Sequence, residues 1–493
     1  MSGPVVAPPG AAKTLIQALV HERHLTREQV IEVLDRRAQA MEIHDFAVSL
    51  RQIDRWLAGK VATAPRPSVC RVLEAEFGFP VVQLLAPDDH DPELGIAGRR
   101  SPVTNSQHEW RSVRRYLNAH RAQLAKIAAG LYHPEMVVPN TSLLTRPDLM
   151  PSEPAPLEDI ELRWESAPPV SIDGTEPEAR AQFPLRTPDY FYDRYTAAIR
   201  YLEAPTLFEN RPSYRLTQVC WDGPRQGALA FGSAAYFDKL DISEALGHEF
   251  AAVCLTQQGN SEQAKQIGWR DLPFRRVVGD PFDLASRAVI PAITTLTLIQ
   301  GADSQARFLL HWRDPTKVAT AGGLYDVVPA GEFQPSSVYP YDSTNDFNLW
   351  RNIVREFSEE LLGTPEHDGS RSQPIDYDRW PLYRGLTRAR ARGAVRAFCF
   401  GVGFDALTLA ATIPTVVVID EDAFEELFGQ IVQANSEGII ITNEEGRNNP
   451  DLALGIPFSA ESVEKFLTSK PMAPPGAACL ALAWRHHDLL LAR

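Results

Sequence analysis

The spacing of apolar residues changes character about a quarter of the way along the chain. Up to residue 86 they recur only at three- and four-residue steps, as one face of a helix requires. Leu15, Ile16, Leu19 and Val20 make a first stripe, and Val30, Val33 and Leu34 a second. Ile53, Trp56 and Leu57 make a third, and Val72, Leu73 and Phe77 a fourth. The pattern predicts four or five short helices and no strand over an all-α domain at 13–90. Thr26 with Gln29 forms a capping-box start, Ser49 opens a helix that Gly59 closes, and Pro67-Ser68 opens one that runs to Gly78. A longer amphipathic helix is expected over 105–130 through Trp110, Val113, Leu117, Leu124 and Ile127, inside a connecting segment at 99–133. Between Pro134 and Pro188 prolines break every period, so 134–188 reads as a linker, with Ser166 to Phe183 its most mobile part.

Beyond residue 189 the period alternates between helix and strand. Helices are expected at Asp189–Glu203, Leu386–Arg392, Ala423–Asn435, Glu461–Leu467 and Ala477–His486. Strands are expected at Tyr214–Trp221, Ala228–Tyr236, Thr294–Ile299 and Ala306–Trp312, and near Ala397–Val402 and Thr415–Ile419. The apolar stretch Phe398 to Ile419 contains Gly401, Gly403, Asp405 and Pro414 and many β-branched residues, which suits buried strands rather than a membrane span. The region 189–493 is therefore expected to be α/β (α+β) with a mixed sheet, its core at about 290–435. The chain as a whole is expected to be multidomain.

Charge adds a constraint on partners. The net charge of the 493 residues is −14. Residues 13–86 are nearly neutral, whereas 99–126 carry Arg99, Arg100, Arg111, Arg114, Arg115, Arg121 and Lys126 against Glu109 alone. An acidic remainder disfavours nonspecific nucleic-acid contact, so any such contact is expected from the first quarter. Five scattered cysteines with no CxxC pair fit reduced thiols rather than a disulfide framework or zinc site. Met1 to Ala12 has neither a basic n-region nor an apolar h-region, so a cytoplasmic protein with no membrane partner is expected.

Candidate chemistry concentrates in Arg355-Glu356-Phe357-Ser358-Glu359-Glu360. Behind a start at Asn345-Asp346, the residues Trp350, Ile353, Val354, Phe357 and Leu361 form a buried stripe closed by Gly363. Glu356, Glu359 and Glu360 then share the opposite face. Like charges at those spacings cost roughly 0.2–0.5 kcal/mol per pair unless a cation joins them. Clustered carboxylates suit Mg²⁺ or Mn²⁺ (or Ca²⁺) rather than zinc.

This run resembles the R-E-U-x-E-E core of the Nudix box, with Phe357 in the aliphatic place. Upstream, Phe308 to Arg313 resembles the strand before that box, and Gly322 to Glu332 the following strand and glycine turn. The resemblance implies a Nudix-like fold and a Mg²⁺ (or Mn²⁺) site on Glu356, Glu359 and Glu360. It implies Glu360, Glu359 and Arg355 as catalytic residues, with the arginine bracing a glutamate. Gly331, Glu332 and His311 are the candidate ligand-binding residues beside it. Two departures stand out: Gly331 and Arg355 are about ten residues further apart than in the pattern, and Phe347 occupies a glutamate position.

The front segment resembles the helix-turn-helix of the XRE (lambda-repressor/Cro-like) family. Its carrying residues are the Ser-x-x-x-Ile-x-x-Trp-x-x-Gly run from Ser49 to Gly59, where the family places its recognition helix. The resemblance implies DNA contact by Ser49, Arg51, Gln52, Arg55 and Lys60. Arginine suits guanine, glutamine suits adenine, and Ser49 suits a phosphate. The segment Arg36 to Phe46 is longer than the usual turn, so either the second helix is extended or the turn is a loop. Together these resemblances imply a one-component transcriptional regulator that binds double-stranded DNA as a homodimer and senses a nucleotide-like small molecule. The alternatives are a Mg²⁺-dependent Nudix hydrolase of nucleoside-diphosphate derivatives and an inactive interaction scaffold. His248-Glu249 lacks the second histidine of a zinc-protease helix, no P-loop occurs, and His486-His487 reads as surface.

Overall fold

The computed structural model describes residues 14–23, 25–61, 65–85, 101–205, 208–258, 267–302, 305–313, 323–365, 373–429, 438–441 and 455–492. They divide into two compact units, Met1–Asn105 with Leu185–Tyr190, and Ser106–Pro184 with Phe191–Arg493.

In the first unit five helices follow one another, Leu15–Glu22, Arg27–Ala40, Leu50–Leu57, Pro67–Phe77 and Val81–Leu85. The expected capping box forms between Thr26 and Gln29, and Ser49 at the start of the third helix makes a second one with Gln52. Gly78 closes the fourth helix in the left-handed region at φ 74°, where a side chain would be strained. Ile16, Val30, Leu34, Ile53, Val72 and Leu73 are sealed from solvent in one shared core. The long separation between helices two and three has both expected causes. The second helix extends to Ala40, and Ile43 then folds back to donate its N–H to the Ala38 carbonyl before the chain reaches Ser49.

The second unit is organised on a parallel strand pair, Ala292–Gln300 beside Ala411–Asp420, in register from Thr412 opposite Ala292 to Asp420 opposite Gln300. Both strands are buried along nearly all their length, which accounts for their unbroken apolar and threonine content. Val395–Cys399 and Gly403–Asp405 pair antiparallel with the second strand. Ala306–Phe308 and Ala330–Glu332 pair antiparallel with the first. The sheet is therefore mixed, within an α+β architecture.

Three expectations change here, and one element was not foreseen. The proline-punctuated stretch 134–188 is woven into the unit rather than stretched as a linker. Leu143–Leu144 pairs with Gly403–Asp405, and Ala155–Pro156 with Val395–Cys399. Ile160–Trp164 lies parallel to Gly227–Ala235, which also pairs with Pro212–Trp221. Its prolines fall where no ladder N–H is needed, Pro156 in a two-residue strand and Pro177 at the first position of a short helix. The stretch read as one strand, Ala306–Trp312, breaks at Leu309. Its second half, Leu310–Arg313, joins a different sheet with Tyr325–Val327 and Gly438–Ile441. The helix expected over Asp189–Glu203 begins only at Tyr195, after the short strand Tyr190–Phe191. Finally, the 23-residue helix Tyr236–Gln258 had no periodic signal, because every residue from Asp241 to Phe250 is buried and no polar face remains. No helix among the described residues is long and apolar enough to cross a membrane.

Candidate functional site

The glutamate helix is Leu349–Glu360. Asn348 caps it by accepting the Arg351 N–H at 3.0 Å, while Asn345-Asp346 belongs to the end of the preceding short helix. Leu349, Trp350, Ile353, Val354 and Phe357 are buried as the spacing requires, and each such side chain contributes roughly 1.5–3 kcal/mol. The helix ends at Leu361, with Gly363 at φ 65° turning the chain back so that Thr364 donates to the Ser358 carbonyl at 3.1 Å.

The opposite face is not the open carboxylate cluster that the charge spacing suggests. Glu360 is buried, and its Oε1 accepts the Ala330 N–H at 3.1 Å. Its Oε2 lies 3.8 Å from Nδ1 of buried His311. Glu356 is half-buried beside Gly331, so close that a Cβ there would collide with its carboxylate. Glu359 is half-buried. Arg355 is buried and donates to the Gln334 carbonyl at 2.7 Å and to Asn352 Oδ1 at 2.9 Å. Burial opposes its charge, yet Tyr377, Asp346, Glu356 and Glu359 hold its pKa above the ordinary guanidinium value. The arginine thus fastens the chain at Gln334, within the lengthened connection that leads to this helix.

The structure brings Gly331 and His311 to the glutamate helix as expected, but gives Glu332 another partner. Glu332 Oε1 meets the Lys239 ammonium at 2.5 Å, and Lys239 is itself buried. Lys239 lies on the helix without periodic signal, and nothing in its sequence surroundings pointed to this turn. Phe347, at the position where the resemblance called for a glutamate, packs its ring 5.1 Å from Tyr214, 5.4 Å from Trp164 and 5.7 Å from Phe231. An apolar nest stands there instead of a carboxylate.

These side chains do not fit a resident divalent ion as they stand. Among the described residues no three His, Cys, Asp or Glu groups converge to hold one. The reason is local: Glu360 is turned inward onto an amide, and the position of a further carboxylate is filled by Phe347.

The helix Leu50–Leu57 keeps its polar residues outside. Ile53 and Trp56 are buried, whereas Arg51, Gln52, Arg55 and Lys60 are exposed. Ser49 and Gln52 are occupied with each other: Gln52 Oε1 accepts from the Ser49 N–H and hydroxyl at 2.9 Å, and Ser49 Oγ accepts the Gln52 N–H at 3.4 Å. Some other cations of the unit are neutralised, whereas Arg36, Arg66 and Arg71 are exposed with no ion pair among the described residues. Arg23 and Arg37 both clamp Glu76 at 2.9 Å, and Arg27 meets Asp54 at 2.9 Å. Arg51, Arg55 and Lys60 have no ion pair among the described residues.

The basic run behind this unit behaves differently. Arg99 and Arg100 lie outside the described residues. In the helix Pro102–Ala129, Arg114 is buried and meets Glu203 at 3.4 Å and Glu244 at 3.1 Å. Arg121 meets Glu244 at 3.1 Å. Neither is available to a phosphate, and Ile127, expected inside, is 45% exposed. Burial disfavours the Glu244 carboxylate, but Arg121 and Arg114 together depress its pKa below the ordinary value. Beside them His248 accepts or donates at 3.0 Å to Tyr195 Oη and stacks on Trp110; burial and the nearby Arg114 push its pKa down to about 3. His248 is therefore a neutral core residue, and Glu249 caps the helix Pro273–Val278 by accepting the Phe274 and Arg275 N–H groups.

No protein-family model matches the chain, and no curated protein matches it. Among solved structures it is similar to a NUDIX hydrolase from Alicyclobacillus acidocaldarius, at 15% identity over 42% of this chain and 96% of that one, with a TM-score of 0.23. So loose a superposition carries no weight for the chemistry of this chain.

Proposed function

We propose that the chain is a one-component DNA-binding regulator, in which the helix Leu50–Leu57 reads bases and the second unit responds to a small molecule without turning it over. One observation carries this reading: Arg51 and Arg55 stand exposed and without an ion pair among the described residues on a helix capped by Ser49 and Gln52, with Lys60 exposed just beyond its end. Guanidinium groups presented this way suit bidentate contact with guanine in a major groove. Because Ser49 and Gln52 cap the helix for each other, base readout falls on Arg51 and Arg55, with Lys60 contacting phosphate. A single short helix reads few base pairs, so the working form is a homodimer on paired half-sites. The ligand acts by binding two conformations unequally, since only that difference shifts DNA affinity. A nucleotide-like compound remains the expected class. Selection of bound sequences from a random DNA pool by the full-length protein tests the reading. Enrichment of paired half-sites about one helical turn apart supports it; recovery of unenriched DNA overturns it.

A second reading, a diphosphate hydrolase, is favoured by the close seating of the Glu356 carboxylate on the Gly331 turn. Its test is release of phosphate or nucleotide from nucleoside-diphosphate derivatives with Mg²⁺ or Mn²⁺ present. Turnover above that of the Glu360→Gln variant would establish it.

A further inference from the structure

The proline-punctuated stretch that joins the second unit also lines an open cleft of about 340 Å³, within the range of small-molecule sites. Pro147, Pro151 and Pro154 form one wall, and Phe400, Leu482 and Met150 supply apolar surface. The wall is fixed by backbone bonds. Leu149 accepts the Val402 N–H at 2.9 Å, and Thr145 Oγ1 donates to the Val402 carbonyl at 3.0 Å. Gly401, at φ 104°, lets Leu149 and Met150 approach where any Cβ would collide. Prolines with so little freedom left have little entropy to lose when a ligand enters.

Four charged side chains line the cleft, Glu135, Arg146, Glu153 and Arg485, and of these Glu135 stands out in solvent at 89% exposure, 3.7 Å from His133. Arg146 is held by Asp148 at 2.7 Å and stands 3.6 Å from Asp280. Glu153 faces Arg225 at 4.0 Å. Arg485, also lining the cleft, has no ion pair among the described residues. Next to it the His486 ring stacks on Phe400, centroids 6.3 Å apart and planes 28° apart. Burial and the adjacent Arg485 lower the His486 pKa, so near pH 7 it presents a neutral aromatic face and a ring N–H.

We propose that this cleft binds a small planar aromatic carboxylate, its ring against Phe400, Leu482 and His486 and its carboxylate on Arg485. The site is separate from the glutamate helix and stands or falls independently of the regulator reading.

The test is calorimetric titration of the full-length protein with indole-3-acetate, with hexanoate and AMP as comparators. Saturable binding of indole-3-acetate, weakened about tenfold or more by Arg485→Ala, is the expected result. Ser152→Trp, which places a large ring in the cleft from an exposed position, should abolish binding while circular dichroism stays unchanged. Absence of saturable indole-3-acetate binding overturns the proposal, as does equal or tighter binding of hexanoate or AMP. Unchanged affinity in a folded Ser152→Trp protein overturns it too. If Ser152→Trp does not fold, Arg485→Ala decides: unchanged affinity there is equally fatal.

Discussion

The helices Leu50–Leu57 and Leu349–Glu360 each carry a run of polar residues that resembles a functional motif, and they place it in opposite surroundings. On the first, two core residues suffice to anchor the helix, and its arginines stay in solvent. On the second, nine of twelve residues are buried, among them Arg355 and Glu360. The difference lies in what packs on the polar side. The strand Ala330–Glu332 lies against the glutamate face, donating one N–H to Glu360 and seating Gly331 on the Glu356 carboxylate, whereas nothing among the described residues pairs with Arg51 or Arg55. A motif in sequence specifies which groups are present; the neighbour across the helix decides whether they meet a ligand or the protein itself.

That contrast makes inward polar groups costly to remove and outward ones cheap. The largest expected effect is from Glu244→Ala, which leaves buried Arg114 and half-buried Arg121 without their shared carboxylate. It should cost about 3–5 kcal/mol in urea unfolding, whereas Arg51→Ala and Arg55→Ala should each stay within about 0.5 kcal/mol. Within the glutamate helix, Arg355→Ala removes the donors to Gln334 and Asn352 and should cost about 2–3 kcal/mol. A loss near zero would mean that this arginine faces a ligand instead.

Acid should expose the same interior. The folded pKa of His248 is depressed from 6.5 to about 3, so only the unfolded chain takes up its proton between those values. Its contribution to stability is present above pH 6.5, is reduced by roughly 1 kcal/mol at pH 5.5, and is lost as pH falls towards 3. Glu244, also depressed, adds its own loss below the unfolded value of 4.5. Urea midpoints between pH 8 and pH 3 should therefore decline from about 6.5 downward, and His248→Phe should flatten the part above 4.5. Glu203, Asp241 and Glu249, whose burial raises their pKa values, act in the opposite sense, so the deciding result is the difference: identical pH dependence of the unmodified and His248→Phe proteins between pH 7 and pH 5 would contradict the buried neutral histidine.

The smallest expected effect is none at all. Glu360→Gln keeps an oxygen to accept the Ala330 N–H, so neither stability nor nucleoside-diphosphate turnover should change by a measurable amount. A metal-dependent activity lost in that variant would reverse the contrast and make the second helix catalytic.

Much of the fold was legible in sequence wherever one face of an element meets solvent. The helices of the first unit follow from their stripes, and the first capping box from Thr26 three residues before Gln29. Legibility failed where solvent contact is lost. The helix Tyr236–Gln258 is buried through its middle and shows no period, so Lys239 at the Gly331–Glu332 turn was invisible. The prolines of 134–188 looked like a linker because tertiary pairing with Gly403–Asp405 and Val395–Cys399 leaves no local mark. For the site, residue types were legible but orientation was not. Arg114 and Arg121 counted as surface cations until Glu244, more than a hundred residues later, was seen between them.

The most direct measurement is the affinity of the full-length protein and its Arg51→Ala/Arg55→Ala variant for a DNA sequence enriched by selection, against a scrambled control at one fixed salt concentration. The account predicts that the variant loses roughly 1–3 kcal/mol per arginine on the selected sequence, with unfolding unchanged and most of the discrimination against the scrambled control gone. Equal affinity and equal discrimination by the two proteins would contradict it.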